Sequence, residues 1–253
     1  MTNDDRPQRH QINRMRRETR RRLLTVTNVE RITPHMQRIH FASPDLHDFD
    51  SAGPDDHIKL FLPAPNEPDG SCRRDYTPRR FDGAAGTLTI DFALHQAGPA
   101  TAWALDAKPG DRLEIGGPRG STLVADDFDW YLLIGDETAL PAIGRRVETL
   151  RPGVPVTTLV LVDSLAERQS FETRADWASH WVARAGQELD DGALLAKALA
   201  NLTPRTGDGY IWIAAEAQAA RSIRALVTET WGHPPGWLKS SGYWVQGEPG
   251  AHE

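Results

Sequence analysis

Between Leu23 and about Ile115 the hydrophobic positions come in short runs, "RRLLTVTNVERI", "MQRIHFAS", "DHIKLFLP" and "GTLTIDFALH", rich in Val, Ile, Thr and Phe and interleaved with polar residues. Turn formers separate them, as in "SAGPDD", "APNEPDG" and "KPGD". Period-two alternation broken by Pro and Gly predicts short strands, and regular strands of this kind suit a closed or nearly closed antiparallel barrel. The one helix expected in this half is "PATAWALDA", just after the Gly98-Pro99 turn.

Beyond Val124 the pattern changes. "WYLLIG", "VPVTTLVLV" and "GYIWIAA" are continuous apolar runs, as strands buried on both faces require. "DETALPAIGRRVETL" and "AQAARSIRALVTETW" follow two of them with helical patterns, the first opening on an Asp/Thr turn and Pro141, which suit a helix start. Buried strands alternating with helices predict βαβ units and a parallel sheet. The expected organisation is an arm over 1–22, an antiparallel β-barrel domain over 23–124, a linker "ADDFD" over 125–129 and an α/β domain over 130–253.

Composition narrows the function classes. The chain has 253 residues, 39% hydrophobic and 25% charged, and no stretch approaches the ~20 apolar residues of a membrane-spanning helix. The N-terminal stretch has no apolar segment of a secretory signal, so the cytoplasm is the expected location. A single cysteine, Cys72, rules out an intramolecular disulfide or a Cys-rich zinc or iron-sulfur site, and leaves redox chemistry to a bound cofactor. Residues 1–22 hold eight arginines against Asp4, Asp5 and Glu18, a local +5 that leaves −11 on the rest of a chain whose net charge is −6. Without interleaved aromatics or a reader module, that arm argues for packing onto the acidic body rather than nucleic-acid binding.

An antiparallel barrel followed by an α/β domain is the plan of a two-domain flavin reductase, so the barrel is the place to seek a flavin site. In "RRDYTPR", Arg74 offers a planar fork for a pyrophosphate, Tyr76 a ring to lie against a flavin, and Thr77 a hydroxyl or amide. On a strand Arg74 and Tyr76 share a face. A surface strand would also use these residue types. In "GPATAW" the turn leads into a helix start whose free amides, with Thr101 expected as the capping hydroxyl, suit an anionic phosphate.

Five phrases, "RRDYTPR", "DFALHQAGPATAWALDAKPGDRLEIGGPRGS", "WYLLIGDETALPAI", "YIWIAAEAQAARSIR" and "SGYWVQG", together resemble the siderophore-interacting protein family of FAD-containing ferric-siderophore reductases, in order from about Leu23 to Gly247. The resemblance implies an FAD-binding barrel, a C-terminal domain similar to ferredoxin-NADP reductase, and reduction of iron in an imported ferric siderophore. By position, Arg74, Tyr76 and Thr77 would contact the flavin and its phosphates, with His95 on the next strand. Gly98, Pro99, Ala100 and Thr101 would form the diphosphate turn, and Asp136 and Thr138 would lie near the adenylate half. Lys59, Arg119 and Lys239 are the implied cations for an anionic ferric siderophore, and Trp244 is expected near a domain interface. Departures from the family pattern are Asp75 between Arg74 and Tyr76, Gln96 after His95, and Ala215 beside Glu216.

No nucleophile or acid/base pair is expected of the protein: the cofactor carries the electron chemistry. NAD(P)H is the expected donor, with Arg168 a candidate for an NADPH 2′-phosphate and reduced ferredoxin the other choice. Two other readings stay open, a general flavin or ferric-chelate reductase and a non-catalytic, flavin-containing siderophore-binding protein.

Overall fold

The structure is a computed structural model and describes residues 9–63, 70–95 and 98–248. The first half contains β1 (Ile12–Arg16), β2 (Arg21–Thr33), β3 (Met36–Ala42), β4 (Ile58–Pro63), β5 (Ser71–Tyr76), β6 (Pro78–Asp82), β7 (Thr87–Ala93), α1 (Pro99–Asp106), β8 (Arg112–Gly116) and β9 (Gly120–Val124). Seven of these strands form one curled antiparallel sheet in the order β5-β4-β8-β2-β3-β7-β6. Its two edge strands, β5 and β6, are consecutive in the chain and joined through Thr77 alone, so "RRDYTPR" is the seam where the sheet curls back on itself. Alternation fills the interior: Leu24, Val26, Ile39, Phe41, Leu60, Leu62, Ile90 and Phe92 are all buried.

The second half contains β10 (Trp130–Asp136), α2 (Leu140–Thr149), β11 (Pro155–Val162), β12 (Asp176–Ala183), α3 (Asp191–Leu199), β13 (Gly209–Glu216), α4 (Ala217–Glu229) and β14 (Leu238–Trp244). These five strands are all parallel, in the order β12-β11-β10-β13-β14. Connection direction reverses between β10 and β13, and α/β sheets bind ligands at the carboxyl ends of strands at such a switch point. α2 covers one face with Ile143 and Val147, while α3 and α4 cover the other with Leu195, Leu199, Ile223 and Val227. Gly135 lets the turn into α2 close over the sheet, since a Cβ there would sit 2.5 Å from Ala139 Cβ and 2.6 Å from the Ala214 carbonyl oxygen.

Two strands of this sheet escape the sequence pattern, β12 and β14, which are its edges. The β11–β12 connection also departs from the expected alternation, because it carries a short 3-10 turn at Leu165–Glu167 in place of an α-helix. Phe128, inside the segment expected to be a linker, is fully buried in the α/β core.

The N-terminal segment from Arg9 onward is docked. β1 pairs antiparallel with β9, and β2 begins at Arg21, inside the expected arm. His10 is wedged between Asp127 (Nδ1 to Oδ1, 3.0 Å) and Asp208 (Nε2 to Oδ2, 2.9 Å) and stacks on Phe128. Arg17 pairs with Asp50 at 2.5 Å, and Arg22 donates to Asp48 at 2.8 Å, so the basic segment lies along acidic partners.

The halves are held in one arrangement. Met36 and Ala93 of the barrel share an apolar cluster with Ile143 and Val147 of α2. Arg79, 3% exposed on β6, donates both terminal nitrogens to Glu148 of α2 at 2.8 and 2.6 Å. Burial pushes the Glu148 carboxyl up, but Arg79 and Arg80 outweigh it and hold the group below its ordinary value.

Candidate FAD and substrate site

A cavity of about 770 Å³ opens between the halves. Its barrel wall includes Arg74, Tyr76, Thr77, Asp91, Ala93, His95 and the start of α1. Its other wall comes from Glu137, Thr138 and Pro141 after β10 and from Lys239, Ser241, Tyr243 and Trp244 on β14.

Strand register explains the first wall. Tyr76 stands opposite Ile58 and Arg74 opposite Leu60, so both share the face of buried neighbours, while Asp75, opposite Lys59 on the other face of the strand, also reaches the cavity lining. The Asp75 carboxylate takes two bonds from Lys59 Nζ, at 2.8 and 2.9 Å. Tyr76 packs against Phe92 with centroids 4.6 Å apart, which fixes its ring at the seam. Burial raises its hydroxyl well above the ordinary tyrosine value and keeps it neutral. Among the described residues the Arg74 side chain makes one bond, to the Arg73 carbonyl, leaving guanidinium donors for a ligand.

The α1 start differs from expectation in one detail. Its N-cap is Gly98, with no side-chain cap, and Pro99 follows at the first helical position. That places Thr101 one turn inside the helix, where its hydroxyl accepts the His95 amide at 3.3 Å instead of capping α1. The helix amides at Ala100 and Thr101 keep their open end, and nothing lies within 4 Å of where a Gly98 Cβ would stand. His95 lies two residues past the end of β7 rather than on a strand. Burial, with help from Arg184, lowers its ring below the ordinary histidine value.

Asp136 is corrected as well. It ends β10, is completely buried, and does not line the cavity. Its oxygens accept from the Thr138 amide (2.9 Å), the Thr138 hydroxyl (2.5 Å), the Glu216 amide (3.0 Å) and Trp244 Nε1 (2.8 Å). Asp136 therefore ties the turn after β10, the end of β13 and the end of β14 together behind the cavity. Thr138 lines it, and Trp244 lies at the junction of the halves, its ring 6.3 Å from that of His95.

Of the three implied substrate cations, only Lys239 lines the cavity. It is held by Asp55 at 2.5 Å, and Asp55 also accepts Trp212 Nε1 at 3.0 Å. Burial works against the Asp55 charge, yet Lys239 and Trp212 hold that carboxyl below its ordinary value. Lys59 does not line the cavity, although Asp75, its partner across the β4–β5 register, does. Arg119 is exposed in the turn before β9. Pro99 also falls outside the lining, and Gln96 lies outside the described residues. Arg168 lines a separate cleft with Arg38, Arg79 and Arg80, away from the main cavity.

Sequence reasoning missed Asp55, His57 and Glu137. Glu137 lines the cavity and bonds Arg184 Nη1 at 2.8 and 2.9 Å, with His95 Nδ1 3.9 Å away. Burial, reinforced by Asp136 and opposed by Arg184, pushes the Glu137 carboxyl up to about 7. Only its place beside Asp136 after a buried strand hinted at a role.

The comparisons with known proteins agree with this architecture. Residues 25–73 and 64–122 match the siderophore-interacting FAD-binding domain, and residues 128–247 match the siderophore-interacting protein domain. A relative from Escherichia coli (strain K12), an NADPH-dependent ferric-chelate reductase, is 35% identical over 91% of this chain and 95% of its own. The chain belongs to the siderophore-interacting protein family. Among solved structures, a siderophore utilization protein from T. fusca superposes with a TM-score of 0.87 at 36% identity, covering 95% of this chain and 98% of that one. The siderophore-interacting protein of Aeromonas hydrophila gives 0.78 at 30% identity, over 91% and 93%. Family membership makes the chain a siderophore-related flavin reductase with an FAD-binding barrel domain, and among the described residues no helix is long and apolar enough to cross a membrane.

The cavity suits FAD on its own terms. It offers a planar guanidinium with donors to spare, a helix start with free amides beside a side-chain-free glycine, and an aromatic ring fixed at the seam. These are the groups that a diphosphate and a flat ring system need.

Proposed function

We propose that the protein is an FAD-dependent ferric-siderophore reductase of the cytoplasm that takes electrons from NADPH. The observation that carries this reading is the meeting of Arg74, Tyr76, Thr77 and the α1 start with Thr138 and Trp244 around one cavity. In this reading Arg74 and the Ala100 and Thr101 amides hold the diphosphate, with Pro99 fixing the turn. Tyr76 and Thr77 face the flavin, His95 closes the side nearest Glu137, and Thr138 meets the adenylate half. Asp136 positions Thr138 and Trp244 from behind.

Bound FAD supplies the conversion between a two-electron nicotinamide donor and one-electron iron acceptors. The net reaction balances as one NADPH and two Fe(III) giving NADP⁺, one proton and two Fe(II). A siderophore holds Fe(III) through hard oxygen donors, and lowering the metal charge weakens that hold, so reduction amounts to release. NADPH is favoured over reduced ferredoxin because the Escherichia coli relative is NADPH-dependent. Anaerobic mixing of the flavoprotein with NADPH, NADH or reduced ferredoxin tests this: bleaching of the flavin band is expected fastest with NADPH. Bleaching by ferredoxin alone would reject the proposed donor.

Glu137 gives the site a pH dependence. With burial and Asp136 raising its carboxyl to about 7 despite Arg184, Glu137 is expected to gain negative charge as pH rises through that value, inside a cavity that must receive a diphosphate. FAD affinity is therefore expected to fall as pH rises through about 7, and Glu137→Gln to remove that fall. Titrating apoprotein with FAD at pH 6 and pH 8 checks it, and an unchanged slope in the variant would reject the assignment.

A further inference from the structure

Lys59 and Lys239, two of the implied cations, are each already neutralised by an aspartate. Among the lining residues, the acids Asp55, Asp75, Asp91, Glu137 and Glu248 outnumber the permanent cations Arg74 and Lys239. Asp91 is taken by Arg38 at 2.7 and 2.8 Å, and Glu137 by Arg184. An anionic chelate arriving here would find little unspent positive charge in the lining itself.

Unengaged cations lie beside the cavity, on the ribbon that the N-terminal segment makes with the barrel. Arg14 and Arg16 of β1 are exposed, and among the described residues neither has a side-chain hydrogen-bond or ion-pair partner. Register fixes where they stand. Ile12 is opposite Val124, Arg14 opposite Thr122 and Arg16 opposite Gly120, so Ile12, Arg14 and Arg16 belong to one face of the ribbon. Ile12 and Val124 pack on the α/β core, and the Thr122 hydroxyl lies 3.4 Å from Lys239 Nζ, so this face turns toward the Lys239–Asp55 corner of the cavity. Residues directly opposite in an antiparallel pair have Cβ atoms about 5 Å apart, which brings Arg14 beside that corner. The acids along the segment are spent: Asp50 on Arg17, Asp48 on Arg20 and Arg22, and Glu18 near Arg20.

We infer that Arg14 and Arg16 form a cationic rim that selects anionic over uncharged ferric chelates for the cavity. The inference rests on the ferric-siderophore reductase reading and adds to it a role for the N-terminal segment. Exposed charges of this kind act on encounter and discrimination, and their effect is screened by salt.

The test uses the FAD-loaded full chain and the double variant Arg14→Glu, Arg16→Glu. Two readouts are taken: KM for a trianionic ferric tris-catecholate and for an uncharged ferric trihydroxamate, and Kd for the redox-inert gallium(III) forms by fluorescence quenching. Both constants are expected to rise about tenfold more for the trianion than for the neutral chelate, with a weaker salt dependence than the parent. Arg14→Lys with Arg16→Lys should restore the parental ratio. Equal changes for both chelates, or none, would overturn the rim while parental reduction of both chelates left the reductase reading intact. If the parent reduces neither chelate the reductase reading falls, and the gallium measurements still decide the rim.

Discussion

Arg74→Ala is expected to purify with little bound flavin and to bind added FAD roughly 10- to 100-fold more weakly than the parent. Hydrogen bonds to charged groups contribute about 1.5–3 kcal/mol each, and every 1.4 kcal/mol is tenfold in affinity. Arg74 is placed to make such bonds because its guanidinium faces the cavity and, among the described residues, is engaged only by the Arg73 carbonyl. Arg74→Lys should recover part of the affinity, since an ammonium keeps the charge and loses the two-pronged geometry. The ratio of visible to ultraviolet absorbance after gel filtration, followed by titration of apoprotein with FAD, measures both. Full flavin retention in the alanine variant would remove Arg74 from the diphosphate site.

The second large effect concerns stability. Asp136→Ala is expected to cost about 3 kcal/mol, because it leaves the Thr138 amide, the Glu216 amide and Trp244 Nε1 without their acceptor in a fully buried position. For a chain of this size that corresponds to a fall of roughly 10 °C in melting temperature. Asp136→Asn keeps the shape and part of the acceptor capacity, so its loss should be smaller. Trp244 gives a local readout: its indole loses a bonded carboxylate, and its emission should shift in the alanine variant before the global transition. A variant that melts with the parent would show that the three donors find other partners.

What was legible in the sequence is what local pattern can encode. Alternation over β2, β3, β4 and β7 marked the barrel, continuous apolar runs marked β10, β11 and β13, and the Arg74–Thr77 and Gly98–Thr101 segments marked the walls that now face the cavity. Within the parallel sheet, the missed strands are its edges. β12 mixes Trp177 and Trp181 with Asp176, Ser179 and His180, and β14 carries Lys239, two serines and Gly242, because an edge strand is only half covered and is held by its neighbour.

The misplaced site residues have a common cause, which is pairing between segments far apart in the chain. Nothing around Lys239 indicates that Asp55 will neutralise it, and nothing around Lys59 that the β4–β5 register will set Asp75 against it. Asp136 reads as a ligand contact at a strand end, and only the arrival of β14 shows its oxygens spent on Trp244 and on its own turn. The arginine-rich segment reads as an arm packing onto the acidic body, but the sequence does not show which partners receive it. Its docking depends on β9, Asp127 and Asp208, which no local pattern connects to it.

The central claim, that the cavity between the halves delivers electrons to siderophore-bound iron, is tested most directly by one half-reaction. Protein-bound flavin is photoreduced anaerobically without nicotinamide and mixed with a ferric siderophore in the presence of an Fe(II) trap. Return of the oxidised flavin band in step with the trapped Fe(II), two irons for each flavin, is the predicted result. A flavin that stays reduced while the ferric siderophore binds would contradict the account and leave a flavin-containing binding protein in its place.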